Sequence, residues 1–191
     1  MNTTTKVDPR IIRTQKLIMD AFAHLLTSKE FKDITIQDIT HEATVNRATF
    51  YYHFVDKYDL LEKVLRKEFT DTVCNQIAGY TLLDAATVTD IFLCVTRFQT
   101  SLYARCRSGF ETFKTTIEAI IQKELEQAFG QMLINQHGGA SDESLRVAAV
   151  MLSWGMIGAS MDWRQNSNLP AEQYIELALP YVTRGLGSLM A

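Results

Sequence analysis

Arg47, Thr49, Tyr51, Tyr52 and His53 bring a guanidinium, a hydroxyl, two phenols and an imidazole into the single stretch NRATFYYHF. Phe50 and Phe54 stand four residues apart, so on a helix they share one face, and that face is the one to bury. Arg47, Ala48, Tyr51 and Tyr52 then point elsewhere. A short helix with so many hydrogen-bonding groups outside has an odd surface unless something polar docks on it. Catalysis finds no comparable cluster. His24, His41, His53 and His137 are scattered, and there is no nucleophile elbow, phosphate loop or metal-ligand spacing. No catalytic residue, metal ligand or cofactor is expected, and the chain reads as a binding protein rather than an enzyme. Cys74, Cys94 and Cys106 are odd in number and far apart, which suggests neither a disulfide framework nor a metal site.

The elements that must carry NRATFYYHF are legible around it. Leu17, Ile18, Ala21, Phe22, Leu25 and Leu26 form an apolar stripe at helical spacing. After the polar stretch 27–30, Thr35 precedes Ile36 and Ile39 with Asp38 three residues on, a capping-box pattern with Asp in place of Glu. Asn46 is a good N-cap for the third helix. A fourth follows Asp56, with Leu60, Leu61, Val64, Leu65 and Phe69 on its inner side. Three short helices with a tight connection between second and third are what a helix-turn-helix requires, because its last helix must project into a major groove about 12 Å wide.

Farther on, Val88, Ile91, Phe92, Val95, Phe98 and Leu102 form one helical stripe, and Phe110, Phe113, Ile117, Ile120, Ile121, Leu125 and Phe129 another, with Gly109 between them. Ser141 is expected to cap a helix reaching Asn166, and Pro170 to open a last helix that Pro180 kinks. The fold class is therefore all-α. We expect a helix-turn-helix domain over residues 1–56 and a larger helical sensing and dimerisation domain over 57–191.

Hydrophobic residues make up 47% of the 191 and charged ones 21%, with three prolines, which is globular composition poor in turn breakers. The net charge of −3 argues at first against nucleic acid, yet its distribution does not. Residues 1–67 hold 11 Lys and Arg against 9 Asp and Glu, whereas 68–191 hold 8 against 13. Arg10, Arg13, Lys16, Arg47 and Lys57 concentrate near the motif. No apolar run reaches the eighteen or so residues of a membrane span, and MNTTTKVDPR lacks the apolar stretch of a signal peptide, so a cytoplasmic protein is expected.

The stretch TIQDITHEATVNRATFYYHFVDKYDLL resembles the N-terminal signature of the TetR/AcrR family of transcriptional regulators, with Tyr51, Phe54 and Lys57 in its Tyr-x-x-Phe-x-x-Lys run. The resemblance covers roughly residues 10–65. It implies that Thr35 and Gln37 approach DNA, that Arg47 reads bases, and that Ala48, Thr49, Tyr51, Tyr52 and His53 contact phosphates or base methyls. Lys57 is implied to contact phosphate. Where the family usually has Gly in the turn, this chain has Thr44, and a threonine is strained at positive φ. The resemblance further implies a homodimer on palindromic double-stranded DNA, probed by a small-molecule effector and acting as a repressor.

The segment VAAVMLSWGMIGASMDW is apolar around most of its circumference, and Gly155, Gly158, Ala159 and Ser160 would let another helix approach closely. With the last helix it is expected to form the dimer interface. Phe98, Leu102, Tyr103, Phe110, Phe113, Phe129, Met132, Met151 and Trp154 either line an apolar effector cavity or form plain core. Arg97, Arg105, Arg107 and His137 are either polar anchors for that effector or surface groups.

Overall fold

The computed structural model describes residues 8–105, 110–137 and 142–184. Among them every regular element is helical. Asp8 accepts from the Arg10 N–H at 2.9 Å and starts α1 (Pro9–Ser28), whose Ile18 and Phe22 are wholly buried. A 3₁₀ turn over Phe31–Asp33 leads to α2 (Ile36–Glu42), α3 (Arg47–His53) and α4 (Lys57–Phe69). The starts of α2 and α3 coincide with the caps expected at Thr35 and Asn46. A π-helical turn over Thr70–Cys74 and the short α5 (Asn75–Ile77), neither expected from spacing, prolong α4.

The remaining helices are α6 (Ala85–Arg105), α7 (Phe110–Gln136), α8 (Asp142–Asn166) and α9 (Ala171–Arg184). Asp84 caps α6 through the Thr87 N–H at 2.8 Å. Pro180 lies within α9 and supplies no N–H to the Glu176 carbonyl. Gly109 and Ser141 lie outside the described residues.

Contacts divide the chain into two compact units, one of residues 1–67 with 103–112 and one of 68–102 with 113–191. The first has a core of Ile18, Phe22, Phe31, Ile34, Ile39, Phe50, Phe54 and Leu60. Phe22 and Phe31 meet edge to face at 6.1 Å, and Phe50 and Phe54 lie 5.7 Å apart. In the second unit Phe69 meets Phe98 edge to face at 5.0 Å, and Phe92 stacks on Tyr174 at 5.9 Å.

The hairpin of α8 and α9 is pinned by polar bonds as well as packing. Tyr174 donates its phenol to Asp162 at 2.7 Å, and Trp163 donates its indole N–H to the Leu169 carbonyl at 2.8 Å. Burial, reinforced by Asp162, pushes the Tyr174 phenol up to about 12. Ser153 and Ser160 are fully buried on α8 because each hydroxyl donates within its own helix, to Val150 and Ile157 at 2.8 Å.

Candidate nucleic-acid interface

Thr35 closes a reciprocal cap on α2. Its hydroxyl accepts from the Asp38 N–H at 3.1 Å and donates to the Asp38 carboxylate at 2.7 Å, while its own N–H donates to the same oxygen at 2.9 Å. The backbone hydrogen bond from Thr35 first, then Lys29 at 2.9 Å, hold the Asp38 carboxyl far below the usual carboxylate range. The hydroxyl hydrogen expected to reach DNA is thus committed to the cap, whereas Gln37, two residues on, is exposed.

Between α2 and α3 the chain makes a Schellman turn. The Val45 N–H donates to the Thr40 carbonyl at 2.9 Å and the Thr44 N–H to His41 at 3.1 Å. Thr44 is the residue in the left-handed position, with φ of 54°. The expected strain is therefore present, and the turn keeps its geometry despite it. A β-branched residue pays a steric cost there that glycine avoids. Thr44→Gly should raise unfolding stability by about 1 kcal/mol, read by chemical denaturation; an unchanged or lower midpoint would mean that the threonine makes a compensating contact.

Asn46 accepts both the Thr49 N–H at 2.7 Å and the Thr49 hydroxyl at 2.9 Å, fixing the first turn of α3. Phe50 and Phe54 are inside, 0% and 1% exposed. That rotation puts Arg47, Ala48, Tyr51 and Tyr52 on the outside, with Tyr52 71% exposed. The Arg47 guanidinium donates to the Tyr51 hydroxyl at 3.3 Å and lies 5.6 Å from its ring centroid. Thr49 and His53 are half-buried at the edge of this surface. Burial, and then the Lys63 charge, lower the pKa of His53 below its ordinary value, so near neutral pH the imidazole is uncharged.

Lys57 does not stand free for phosphate. Its ammonium donates to the carbonyls of Phe31, Lys32 and Ile34 at 3.0, 3.2 and 2.9 Å. An ammonium has three hydrogens, and these three acceptors take them. No sequence pattern signalled those partners, because carbonyl acceptors carry no residue type.

The residues offered for an effector cavity differ in their exposure. Phe98, Leu102, Phe113, Phe129 and Met132 are core, at most 5% exposed, while Met151 and Trp154 are 71% and 52% exposed. Tyr103 is 48% exposed and groups with the first unit. The side chains of Phe110, Arg105 and Arg107 lie outside the described residues. A cavity of about 740 Å³ lies in the second unit, where Leu133 and His137 at the end of α7 meet Met151, one of the residues offered, and Met156 of α8 and Ile175 and Tyr181 of α9. Arg97 and Phe98 border a smaller cleft of about 220 Å³ with Cys94. Burial raises the Cys94 thiol pKa, and that of Cys74 to about 11. No group of three or more His, Cys, Asp or Glu is placed to hold a metal among the described residues.

Residues 18–64 match the model of the bacterial regulatory proteins of the tetR family. The chain is 33% identical over 69 residues to the uncharacterized HTH-type transcriptional regulator YxbF of Bacillus subtilis, covering 36% of this chain and 18% of that protein. It is 34% identical over 62 residues to the HTH-type dhaKLM operon transcriptional activator DhaS of Lactococcus lactis, covering 32% of this chain and 33% of that one. These matches thus span a third or less of the curated relatives. Among solved structures, dihydroxyacetone kinase operon activator DhaS superposes with TM-score 0.58 at 18% identity, covering 93% of this chain and 98% of its own. The TetR family repressor AlkX from Dietzia superposes with TM-score 0.61 at 16% identity, covering 89% and 95%. At those identities the likeness is one of fold.

Proposed function

We propose that this chain, whose residues 18–64 match the bacterial regulatory proteins of the tetR family, is a dimeric, sequence-specific DNA-binding repressor whose operator affinity an effector controls. One observation carries the DNA reading. The third helix is locked by its Asn46 cap and its Phe50 and Phe54 anchors, and turns Arg47, Ala48, Tyr51 and Tyr52 outward together. Base contacts come from the N-terminal residues of such helices, where Arg47 stands. Gln37, Thr49 and His53 flank that surface as backbone contacts.

Dimerisation is supported by α8. The most apolar 18-residue window within Glu143–Asn166 has a mean hydropathy of 1.3, yet only 33% of that window is buried. Val147, Met151, Trp154, Gly155 and Gly158 lie open on one side of it, beside Leu177 and Tyr181 of α9. A second copy of the same two helices covers such a face in a two-fold interface. The dimer then presents two α3 helices to a palindrome. Footprinting on sequences selected from random DNA should protect two half-sites about one helical turn apart or slightly more. Protection of one asymmetric half-site by a monomer would sink the reading.

Control by an effector is supported by the cavity of about 740 Å³, within the size range of small-molecule sites; it shares Met151, Gly155 and Tyr181 with the face above, so an effector there lies at the dimer seam. Once an effector is found by screening, operator DNA must weaken its binding by the same factor as it weakens operator binding. Equal effector affinity in calorimetric titrations with and without operator would end this part of the proposal. Repression follows from occlusion of a promoter; the relative DhaS is by its name an activator, so transcription in vitro decides the sign, with less transcript expected.

A further inference from the structure

We propose that Lys57 is a positioning residue of the DNA-binding unit: its ammonium, caged by three main-chain carbonyls and an aromatic ring, fixes how α2 and α3 are presented, and it contacts no phosphate. The inference rests on the DNA reading above and deepens it.

Every donor of the ammonium is engaged within 3.2 Å, by the carbonyls of Phe31, Lys32 and Ile34. The Phe31 ring centroid lies 4.5 Å from the same nitrogen and that of Tyr58 6.0 Å away. Lys29, Lys32 and Lys63 each face a carboxylate at 2.8 to 2.9 Å. Lys57 faces carbonyl dipoles and a π face instead, an environment built for a cation that stays in place.

The acceptors are themselves anchored, since Phe31 is 4% exposed and Ile34 0%. Ile34 immediately precedes Thr35, the cap of α2, and Lys57 is the first residue of α4. The bond between them therefore closes a loop that contains α2, the Thr44 turn and α3 complete. Within that loop the turn is strained and both helices have only seven residues, too few to be stable alone. Their common orientation needs an external tie, and Lys57 supplies it. Lysine suits the task because its ammonium is a compact charge with three rotatable donors, whereas the planar fork of arginine cannot reach three carbonyls of one turn.

The test compares Lys57→Met and Lys57→Arg with the natural chain on the selected operator and on an unrelated duplex, over a range of salt. The cage predicts that both variants melt about 5 °C lower and bind the operator about ten-fold more weakly, with the salt slope unchanged. A phosphate contact predicts the reverse. Lys57→Arg would then keep its affinity, because arginine binds phosphate well, and Lys57→Met would lose about one unit of slope with its melting temperature unmoved. Those results overturn the proposal. If Lys57→Met does not fold, Lys57→Arg decides by itself: lost affinity with retained helicity supports the cage, and retained affinity overturns it. If the natural chain selects no DNA sequence, the function proposed above fails, and the cage is judged separately by NMR of the Lys57 ammonium. Protons in slow exchange with water support it, and exchange as fast as that of surface lysines overturns it.

Discussion

Gly158→Arg should sediment as a monomer and bind the selected operator about a thousand-fold more weakly, the size of the gap between specific and non-specific binding. The argument starts from what the glycine does inside one chain, which is nothing visible. A Cβ built at Gly158, or at Gly155, meets no atom within 4 Å. Each glycine meanwhile costs a helix about 1 kcal/mol relative to alanine. At Gly155 and Gly158 the protomer thus leaves open space, which suits the close approach of the partner helix proposed above. Arginine is a better helix former than glycine, so the substituted chain should stay folded by circular dichroism. Gly158→Ala should act in the same direction more gently: it stabilises its own helix by about 1 kcal/mol while weakening the dimer. A Gly158→Arg protein that remains dimeric with an unaltered footprint would remove α8 from the interface.

Arg47→Ala should cost about 1–3 kcal/mol on the operator and flatten the ranking of operator variants at one base position. In the unbound protein the guanidinium is exposed and held only by the Tyr51 hydroxyl at 3.3 Å and the adjacent ring. Releasing it costs little, so the loss measured belongs mostly to the base contact. Tyr51→Phe removes that holding bond and keeps the ring, and serves as the control for the bond between them. An unchanged ranking of operator variants after Arg47→Ala would mean that another side chain reads the DNA.

The local parts of this fold were legible because their causes are local. A cap oxygen, a pair of phenylalanines four apart and a threonine in a glycine position each act within a few residues, and the starts of α2 and α3 and the strain at Thr44 follow from them. The bonds of Lys57 were not legible, for the complementary reason. Its partners lie 23 to 26 residues away and are main-chain carbonyls. The hydroxyl of Thr35 closes the capping box with Asp38, a bond three residues long that the sequence pattern carries. Which aromatic residues border a cavity depends on how α6 to α9 pack, and helical period alone places Phe129 in the core and Trp154 outside with equal ease. The π turn after Phe69 has no sequence signature at all, since one extra residue in a helical ladder leaves composition and spacing nearly intact.

Both tryptophans of the sequence belong to α8, Trp154 on its open side and Trp163 with its indole N–H bonded to the Leu169 carbonyl. Tryptophan fluorescence is therefore blind to the DNA-reading helices and watches one region of the molecule with two unlike lamps. Trp154, half in water, should emit to the red in a dilute protomer and shift to the blue when a second chain covers it. Trp163 should hold its colour until the hairpin of α8 and α9 melts. Emission followed on dilution thus reports assembly, emission followed on heating reports the hairpin, and neither trace registers fraying around Thr44.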